Sequence, residues 1–91
     1  MIDHWHVGFG PNKSIAHETI FLDQSESVTH YLDLCSQFFP EYMKSFGRVQ
    51  AEARINEYAD EHDADFSFCA MQHPWAVLWT PCEGCTKPSL N

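Results

Sequence analysis

Two kinds of hydrophobic periodicity, each confined to its own part of the chain, constrain the fold most strongly. Alternation typical of strands with one buried face occupies residues 2–9, 15–22, 66–71 and 75–80. Helical spacing occupies residues 23–39 and 48–62, with one further amphipathic turn at residues 41–46. Strands segregated from helices predict an α+β fold in which the helices cover one face of an antiparallel sheet. We therefore expect one domain spanning residues 1–91, with about four strands and two main helices in ββααββ order.

Turn and cap residues indicate where the first elements begin and end. Gly10-Pro11-Asn12 predicts a turn that joins the first two strands in a hairpin. Asp23 or Ser25 is expected to cap the first helix, because either side chain can accept a hydrogen bond from an N–H group of its first turn. Pro40 is expected to end that helix, because it disfavours a helical backbone at the residue before it.

Charge and length limit the classes of partner. The 91 residues carry a formal net charge of −8 with only 5 Lys and Arg, which argues against direct binding to nucleic acid or to an anionic membrane. No apolar run approaches the ~20 residues of a membrane span, and the first residues lack the pattern of a signal peptide. We therefore expect a cytoplasmic protein (in the host cytoplasm if it is viral) whose thiols stay reduced.

The nearest approach to a chemical motif is Cys82-Glu83-Gly84-Cys85, which follows the last strand. Thioredoxin-like redox pairs need a helix after the first cysteine, because the helix N-terminus lowers the pKa of that thiol. Residues 86–91 include Pro88 and are too few for such a helix, and we expect them to form a flexible tail. A redox role is therefore not expected.

A zinc site is the alternative for this motif, because two thiolates at this spacing form half of a tetrahedral site. A turn at Gln72-His73-Pro74 would place Met71 opposite Trp75 in a second hairpin. That register separates Cys69 and His73 from Cys82, since Cys82 would lie roughly 16 Å beyond the residue opposite Cys69 at the rise of a strand.

The same register places Cys82 near Ala64, at the end of the second main helix. We therefore expect the metal ligands, if a metal binds, to be Cys82, Cys85 and His62, with a carboxylate from Asp63 or Asp65. The competing interpretation is that the two cysteines are ordinary thiols and that the chain has no cofactor.

Histidines on the first strand form a second candidate group. His4 and His6 share one face of the strand, about 7 Å apart, and His17 on the next strand could join them in metal binding or acid–base chemistry. Alternation alone explains the pair as an exposed polar face opposite the buried Trp5, Val7 and Phe9. Because no nucleophile or pair of carboxylates accompanies them, we expect no enzyme, and a His-dependent enzyme remains the second alternative.

An acidic segment ends the second main helix. It comprises Glu57, Asp60, Glu61, Asp63 and Asp65, and Glu52 on the same helix could extend it. Negative charge is unfavourable at a helix C-terminus because of the helix dipole. A feature that costs stability suggests a binding role, so these six residues are the predicted partner-binding surface.

The leading hypothesis is a small acidic, non-catalytic protein that binds a partner with a basic surface. Enzymes and complexes that bind nucleic acids commonly present such surfaces, so the chain could be an inhibitor of the phage or mobile-element type, such as an anti-CRISPR protein. That comparison rests on size and charge alone. A zinc-binding module organised by Cys82 and Cys85 is the alternative, and an exposed aromatic face at Trp75 and Trp79 would be a candidate homodimer seam.

Overall fold

A computed structural model describes residues 2–11, 15–62, 66–72 and 74–84. The elements are β1 (His4–Pro11), β2 (His17–Phe21), α1 (Gln24–Phe38), α2 (Pro40–Phe46), α3 (Arg48–Glu61), β3 (Phe68–Gln72) and β4 (Trp75–Cys82). The predicted α+β class and the ββααββ order are confirmed, with the short α2 between the two main helices. No described helix is long and apolar enough to cross a membrane. The expected tail at residues 86–91 lies outside the described residues.

The first and last strands form the centre of the sheet. The strand order is β2-β1-β4-β3, and every neighbouring pair is antiparallel. β1 pairs with β4 along its whole length, from His4 opposite Cys82 to Pro11 opposite Trp75. This pairing brings the residues that open β1 next to the cysteine motif at the end of β4.

The helices pack on one face of the sheet, as expected. α1 lies against β1 and β4, and α3 packs on α1. Val28 and Leu32 of α1 are buried together with Val7, Val77 and Trp79 of the two central strands. The burial of large apolar side chains of this kind, each worth about 1.5–3 kcal/mol, is the main source of stability in a domain of this size.

A buried polar chain links α1 to β4 inside this core. The indole Nε1–H of Trp79 donates to Ser27 Oγ at 2.9 Å, and the Ser27 hydroxyl donates to the carbonyl of Gln24 at 2.6 Å. Trp79 and Ser27 are both fully buried. Because an unsatisfied buried N–H group is costly, Ser27 allows the largest core side chain to be buried without a penalty.

The helix ends follow the predicted signals. Asp23 is the N-cap of α1, and its carboxylate accepts a hydrogen bond from the backbone N–H of Glu26 at 2.9 Å. α1 ends at Phe38, before Pro40 opens α2. Gly47 separates α2 from α3 with φ +90°, a conformation that glycine adopts without a Cβ clash.

The predicted turn at Gly10-Pro11 is wrong. Both residues belong to β1, because the long β4 offers them partners: Gly10 pairs with Ala76 and Pro11 with Trp75. Asn12 lies outside the described residues. Proline is tolerated here because it occupies the last position of the strand, where a missing N–H group costs least.

The predicted register of the second hairpin is wrong by one residue. Met71 pairs with Ala76, and Gln72 pairs with Trp75. Only residues 73–74 lie between the paired ends, and two-residue connections are the commonest in hairpins. Because side chains alternate between faces, a shift of one residue changes which side chains share a face of the sheet.

The tryptophan pair proposed as a dimer seam is also not exposed as a unit. Trp79 is fully buried, whereas Trp75 is 36% exposed. The ring of Trp75 stacks on Phe38 with centroids 4.9 Å apart. Trp79 therefore belongs to the core, and the two tryptophans do not share an exposed face.

Candidate metal centre

The face of the sheet turned away from the helices carries the densest group of titratable side chains in the described residues. Trp5, Val7 and Phe9 of β1 pack toward the helices, as predicted. Alternation then directs His4 and His6 to the opposite face, where their cross-strand neighbours on β4 are Cys82 and Thr80.

The prediction that these histidines form an exposed polar face is wrong. Their side chains are only 12% and 11% exposed, respectively. They cover each other, with ring centroids 4.8 Å apart and an interplanar angle of 63°. Two nearly buried imidazoles in edge contact need partners for all four of their nitrogens.

Each outer ring nitrogen has a carboxylate partner. Asp3 Oδ1 contacts His4 Nδ1, and Glu18 Oε1 lies 3.3 Å from His6 Nδ1. The hydrogen bonds from His4 and from the backbone N–H of Gly84 hold the pKa of Asp3 below its usual range. An ionised carboxylate only accepts hydrogen bonds, so these partners assign the ring proton to Nδ1 in both histidines.

The inner nitrogens then face each other with lone pairs. His4 Nε2 and His6 Nε2 are 2.9 Å apart. Two neutral rings with protonated Nδ1 atoms offer only acceptors at this contact. The contact becomes favourable when a single proton or a metal cation lies between the two nitrogens.

Cys82 completes a group of three potential ligands. One imidazole nitrogen of His4, one of His6 and the sulfur of Cys82 all lie within 4.8 Å of one another. Around one tetrahedral zinc ion, two imidazole nitrogens are about 3.3–3.4 Å apart and a nitrogen and a thiolate sulfur about 3.6 Å. Side-chain shifts of about 0.5–1.2 Å would therefore bring the three residues to coordination distances.

The cysteine motif begins in a turn that contacts β1. The backbone N–H of Asp3 donates to the carbonyl of Cys82 at 3.1 Å, which extends the β1–β4 pairing by one bond. The N–H of Gly84 donates to Asp3 Oδ2 at 3.2 Å, and Gly84 has φ +62°, which favours glycine. Cys85 follows this turn directly and lies outside the described residues.

No family model, curated protein or solved structure matches this chain.

His62 does not lie near Cys82, contrary to the prediction. It follows α3, where its Nδ1–H donates to the carbonyl of Tyr58 at 3.0 Å and its ring stacks on Tyr58. Its other ring neighbour is Phe66, which packs against Trp79 on the helix side of the sheet. The structure therefore brings Cys82 together with His4 and His6, and the predicted carboxylate ligands Asp63 and Asp65 lie outside the described residues.

His17 does not join the pair on β1, contrary to the expected grouping of three histidines. It pairs with Phe9 in the β1–β2 register and stacks on the ring of Phe9 with centroids 4.9 Å apart. This places it on the helix side of the sheet. Its neighbour Glu18 has the opposite orientation and supplies the contact to His6.

Sequence reasoning missed Glu18, Asp3 and the meeting of His4 with Cys82. Strand alternation offered one usable signal: a hairpin between the first two strands places Glu18 or His17, but not both, on the face of His6. The pairing of β1 with β4 had no local signal, because it joins residues 64 to 78 positions apart.

The acidic residues of α3 lie mainly at the surface of the protein. Glu57, Asp60 and Glu61 are exposed and Glu52 is half-buried. The last turn of α3 contains no basic residue. Within the described part of the predicted partner-binding set, Glu57, Asp60 and Glu61 therefore lie accessible toward the C-terminal end of α3, whereas Glu52 lies in its N-terminal half.

A cavity of about 820 Å³ lies on the helix side, between α1, α2, α3 and β3. Its lining includes Tyr31 and Cys35 of α1, which are buried. Burial raises the pKa of Cys35 to about 11, so its thiol stays protonated near neutral pH. Cys35 is therefore a poor nucleophile near neutral pH.

Proposed function

We propose that this protein is a small metal-binding module with a structural zinc site on the open face of its sheet. His4 and His6 of β1 and Cys82 at the end of β4 are the proposed ligands. Cys85 is the proposed fourth ligand on the strength of its spacing from Cys82, which is the spacing of paired thiolates in structural zinc sites.

The observation that carries this proposal is the contact between the two imidazoles. Their Nε2 atoms converge at 2.9 Å while a carboxylate holds each Nδ1. Histidines that bind metals typically donate their second N–H to a carboxylate in this way, which fixes the tautomer and raises the basicity of the ligating nitrogen. His4 has this pattern with Asp3, and the carboxylate of Glu18 lies 3.3 Å from Nδ1 of His6 in the corresponding position.

The chemistry of the ligands favours zinc over other common ions. Imidazole and thiolate together suit Zn²⁺, whereas Mg²⁺ and Ca²⁺ prefer oxygen ligands. The site would join β1, β4 and the cysteine motif. A domain of 91 residues has a modest core, so a metal that cross-links its central strands to the chain beyond them would contribute directly to folding.

Metal analysis of the protein purified without a polyhistidine tag tests the proposal. We expect one zinc per chain, and a cobalt-substituted form with the visible absorption of a tetrahedral thiolate site. The matched control is Cys69→Ser, which removes an exposed thiol away from the site and should leave zinc content unchanged. Protein that takes up less than a tenth of an equivalent of either metal, as purified and after reconstitution under reducing conditions, would refute it.

The acidic end of α3 supports a second candidate function, the binding and inhibition of a partner with a basic surface, such as an enzyme that binds nucleic acid. The observation in its favour is that Glu57, Asp60 and Glu61 are exposed in a helix whose last turn has no basic residue. Exposed charge of one sign steers a partner of opposite sign and makes association depend on salt.

Charge reversal tests this second candidate. Asp60→Lys with Glu61→Lys should abolish capture of a basic, nucleic-acid-binding protein from the native host, and raised salt should weaken capture by the unmodified chain. The matched control is Glu26→Lys with Glu41→Lys, which makes the same change in net charge at exposed positions of the other helices. Equal capture by the unmodified and charge-reversed proteins would exclude the acidic end of α3 as the binding surface.

A further inference from the structure

We propose that Asp3 is the positioning residue that couples the two halves of the metal site, the histidine pair on β1 and the cysteine motif after β4. This inference rests on the proposed zinc site and assigns a role within it. Asp3 is exposed and is not one of the proposed metal ligands. It acts through the residues that it holds.

Both oxygens of the Asp3 carboxylate have a separate partner. Oδ1 contacts Nδ1 of His4, and Oδ2 accepts the backbone N–H of Gly84 at 3.2 Å. The backbone N–H of Asp3 also donates to the carbonyl of Cys82 at 3.1 Å. One residue therefore contacts the orienting nitrogen of one ligand, the strand end that carries another, and the turn that leads to Cys85.

These contacts define two different tasks. At His4 the carboxylate selects the tautomer in which Nε2 offers its lone pair to a metal. At Gly84 it accepts a hydrogen bond from the backbone and so holds the turn of the motif, in which Gly84 has a left-handed backbone conformation. Loss of the carboxylate would release both the imidazole and the turn.

Glu18 provides the matched comparison. Its carboxylate lies 3.3 Å from Nδ1 of His6, so it orients one ligand on the same face of the sheet, but it belongs to β2, which β1 separates from β4 and the motif. Glu18→Gln therefore removes an outer carboxylate from the histidine side of the site. Asp3→Asn removes a carboxylate that contacts both the histidine pair and the cysteine motif.

The amide substitution is well suited to Asp3. Asparagine keeps the size of the side chain but has one acceptor oxygen in place of two, and its NH₂ group only donates. Its single oxygen can accept a hydrogen bond from His4 Nδ1–H or from Gly84 N–H, but not from both. The other N–H group then faces the side-chain NH₂ group, which is also a donor. The variant separates a positioning role from mere occupancy of space.

The experiment is a competitive titration of zinc against a chromophoric chelator, combined with cobalt spectra, for the unmodified protein, Asp3→Asn and Glu18→Gln. We expect Asp3→Asn to bind zinc about 10–100-fold more weakly, the range found for outer-shell partners. The thiolate-to-cobalt absorption should weaken more in Asp3→Asn than in Glu18→Gln, because Asp3 also contacts the backbone of Cys82 and Gly84. A general loss of folding would not produce this difference between the two variants.

Thermal unfolding keeps the test decisive if Asp3→Asn is unstable without metal. The zinc concentration that restores a folded transition should then be about 10–100-fold higher than for the unmodified protein. Binding by Asp3→Asn within twofold of the unmodified protein, or an equal loss of the thiolate band in Glu18→Gln, would overturn the role of Asp3 while leaving the zinc site standing. An unmodified protein that binds no metal would overturn both.

Discussion

His4 and His6, two residues apart on β1, turn their Nε2 atoms toward each other at 2.9 Å and leave their Nδ1 atoms to Asp3 and Glu18. The Cα atoms of two residues at this spacing on a strand are about 7 Å apart. The short distance between the two Nε2 atoms therefore arises because the two rings lean toward each other. This convergence is the geometric basis of the proposed metal site.

Replacing either converging histidine should remove the metal. We expect His6→Ala to lower zinc affinity at least 100-fold, because one of the four ligands and the contact with Glu18 are lost together. The control is His17→Ala, which deletes an imidazole on the same sheet but on the helix side. Chelator competition measures both affinities, and equal affinities for the two variants would show that His6 is not a ligand.

The hydroxyl of Ser27 should be worth far more to stability than its size suggests. Ser27→Ala leaves the buried Nε1–H of Trp79 without its acceptor, so we expect a loss of about 1–3 kcal/mol in the free energy of unfolding. Ser25→Ala, at an exposed position in the same turn of α1, should change stability by less than about 0.5 kcal/mol. Urea denaturation followed by tryptophan fluorescence compares the two. Similar losses for both would indicate a change in helix propensity, with no special role for the Trp79 bond.

Gly8 should tolerate no side chain. A Cβ atom at this position would clash with Cγ2 of Ile15 and approach the carbonyl oxygen of His17 to 2.7 Å. We expect Gly8→Ala to destabilise the domain by about 1–3 kcal/mol, as overpacking does. Adding Ile15→Ala should recover part of that loss, because it relieves the contact with the flexible side chain and leaves the backbone contact. A double-mutant cycle with no coupling between the two changes would contradict this packing.

Stability should fall in alkaline solution. Burial raises the pKa of Cys35 from 9.0 to about 11, and burial also raises the pKa of Tyr31. A group whose pKa is higher in the folded state contributes stability that is complete below its unfolded value and is lost as the pH rises toward its folded value. For Cys35 that window runs from pH 9.0 to about pH 11, with a loss of up to about 2–3 kcal/mol.

Urea denaturation of the metal-free protein at about pH 8 and about pH 10.5 measures this loss. The control is Cys35→Ala, which should be less stable at neutral pH and should lose less stability between the two pH values. An equal pH dependence in both proteins would assign the alkaline loss to Tyr31 or to other groups.

The sequence predicted those parts of the fold that depend on neighbouring residues. The Asp23 cap, the end of α1 before Pro40 and the inward face of Trp5, Val7 and Phe9 all follow from local hydrogen bonding, backbone restriction or alternation. Each needs information from only a few positions. The ββααββ order follows because periodicity is also local.

The candidate site could not be predicted in the same way, because it depends on pairing between distant strands. His4 meets Cys82 only through the β1–β4 ladder, and nothing near either residue specifies that partner. The shift of one residue in the second hairpin had a similar cause, since the loop could hold two or three residues. The prediction of His62 as a ligand, by contrast, depends on a hairpin register that places Cys82 near Ala64, whereas His62 lies on the helix side of the sheet beside Phe66.

X-ray absorption at the zinc edge of the reconstituted, untagged protein tests the proposed site most directly. We expect imidazole nitrogens at about 2.0–2.1 Å from zinc, thiolate sulfur at about 2.3 Å and four ligands in total. The double variant His4→Ala with His6→Ala should lose the imidazole signal. A zinc site with only oxygen neighbours, or an imidazole signal that survives in the double variant, would contradict it.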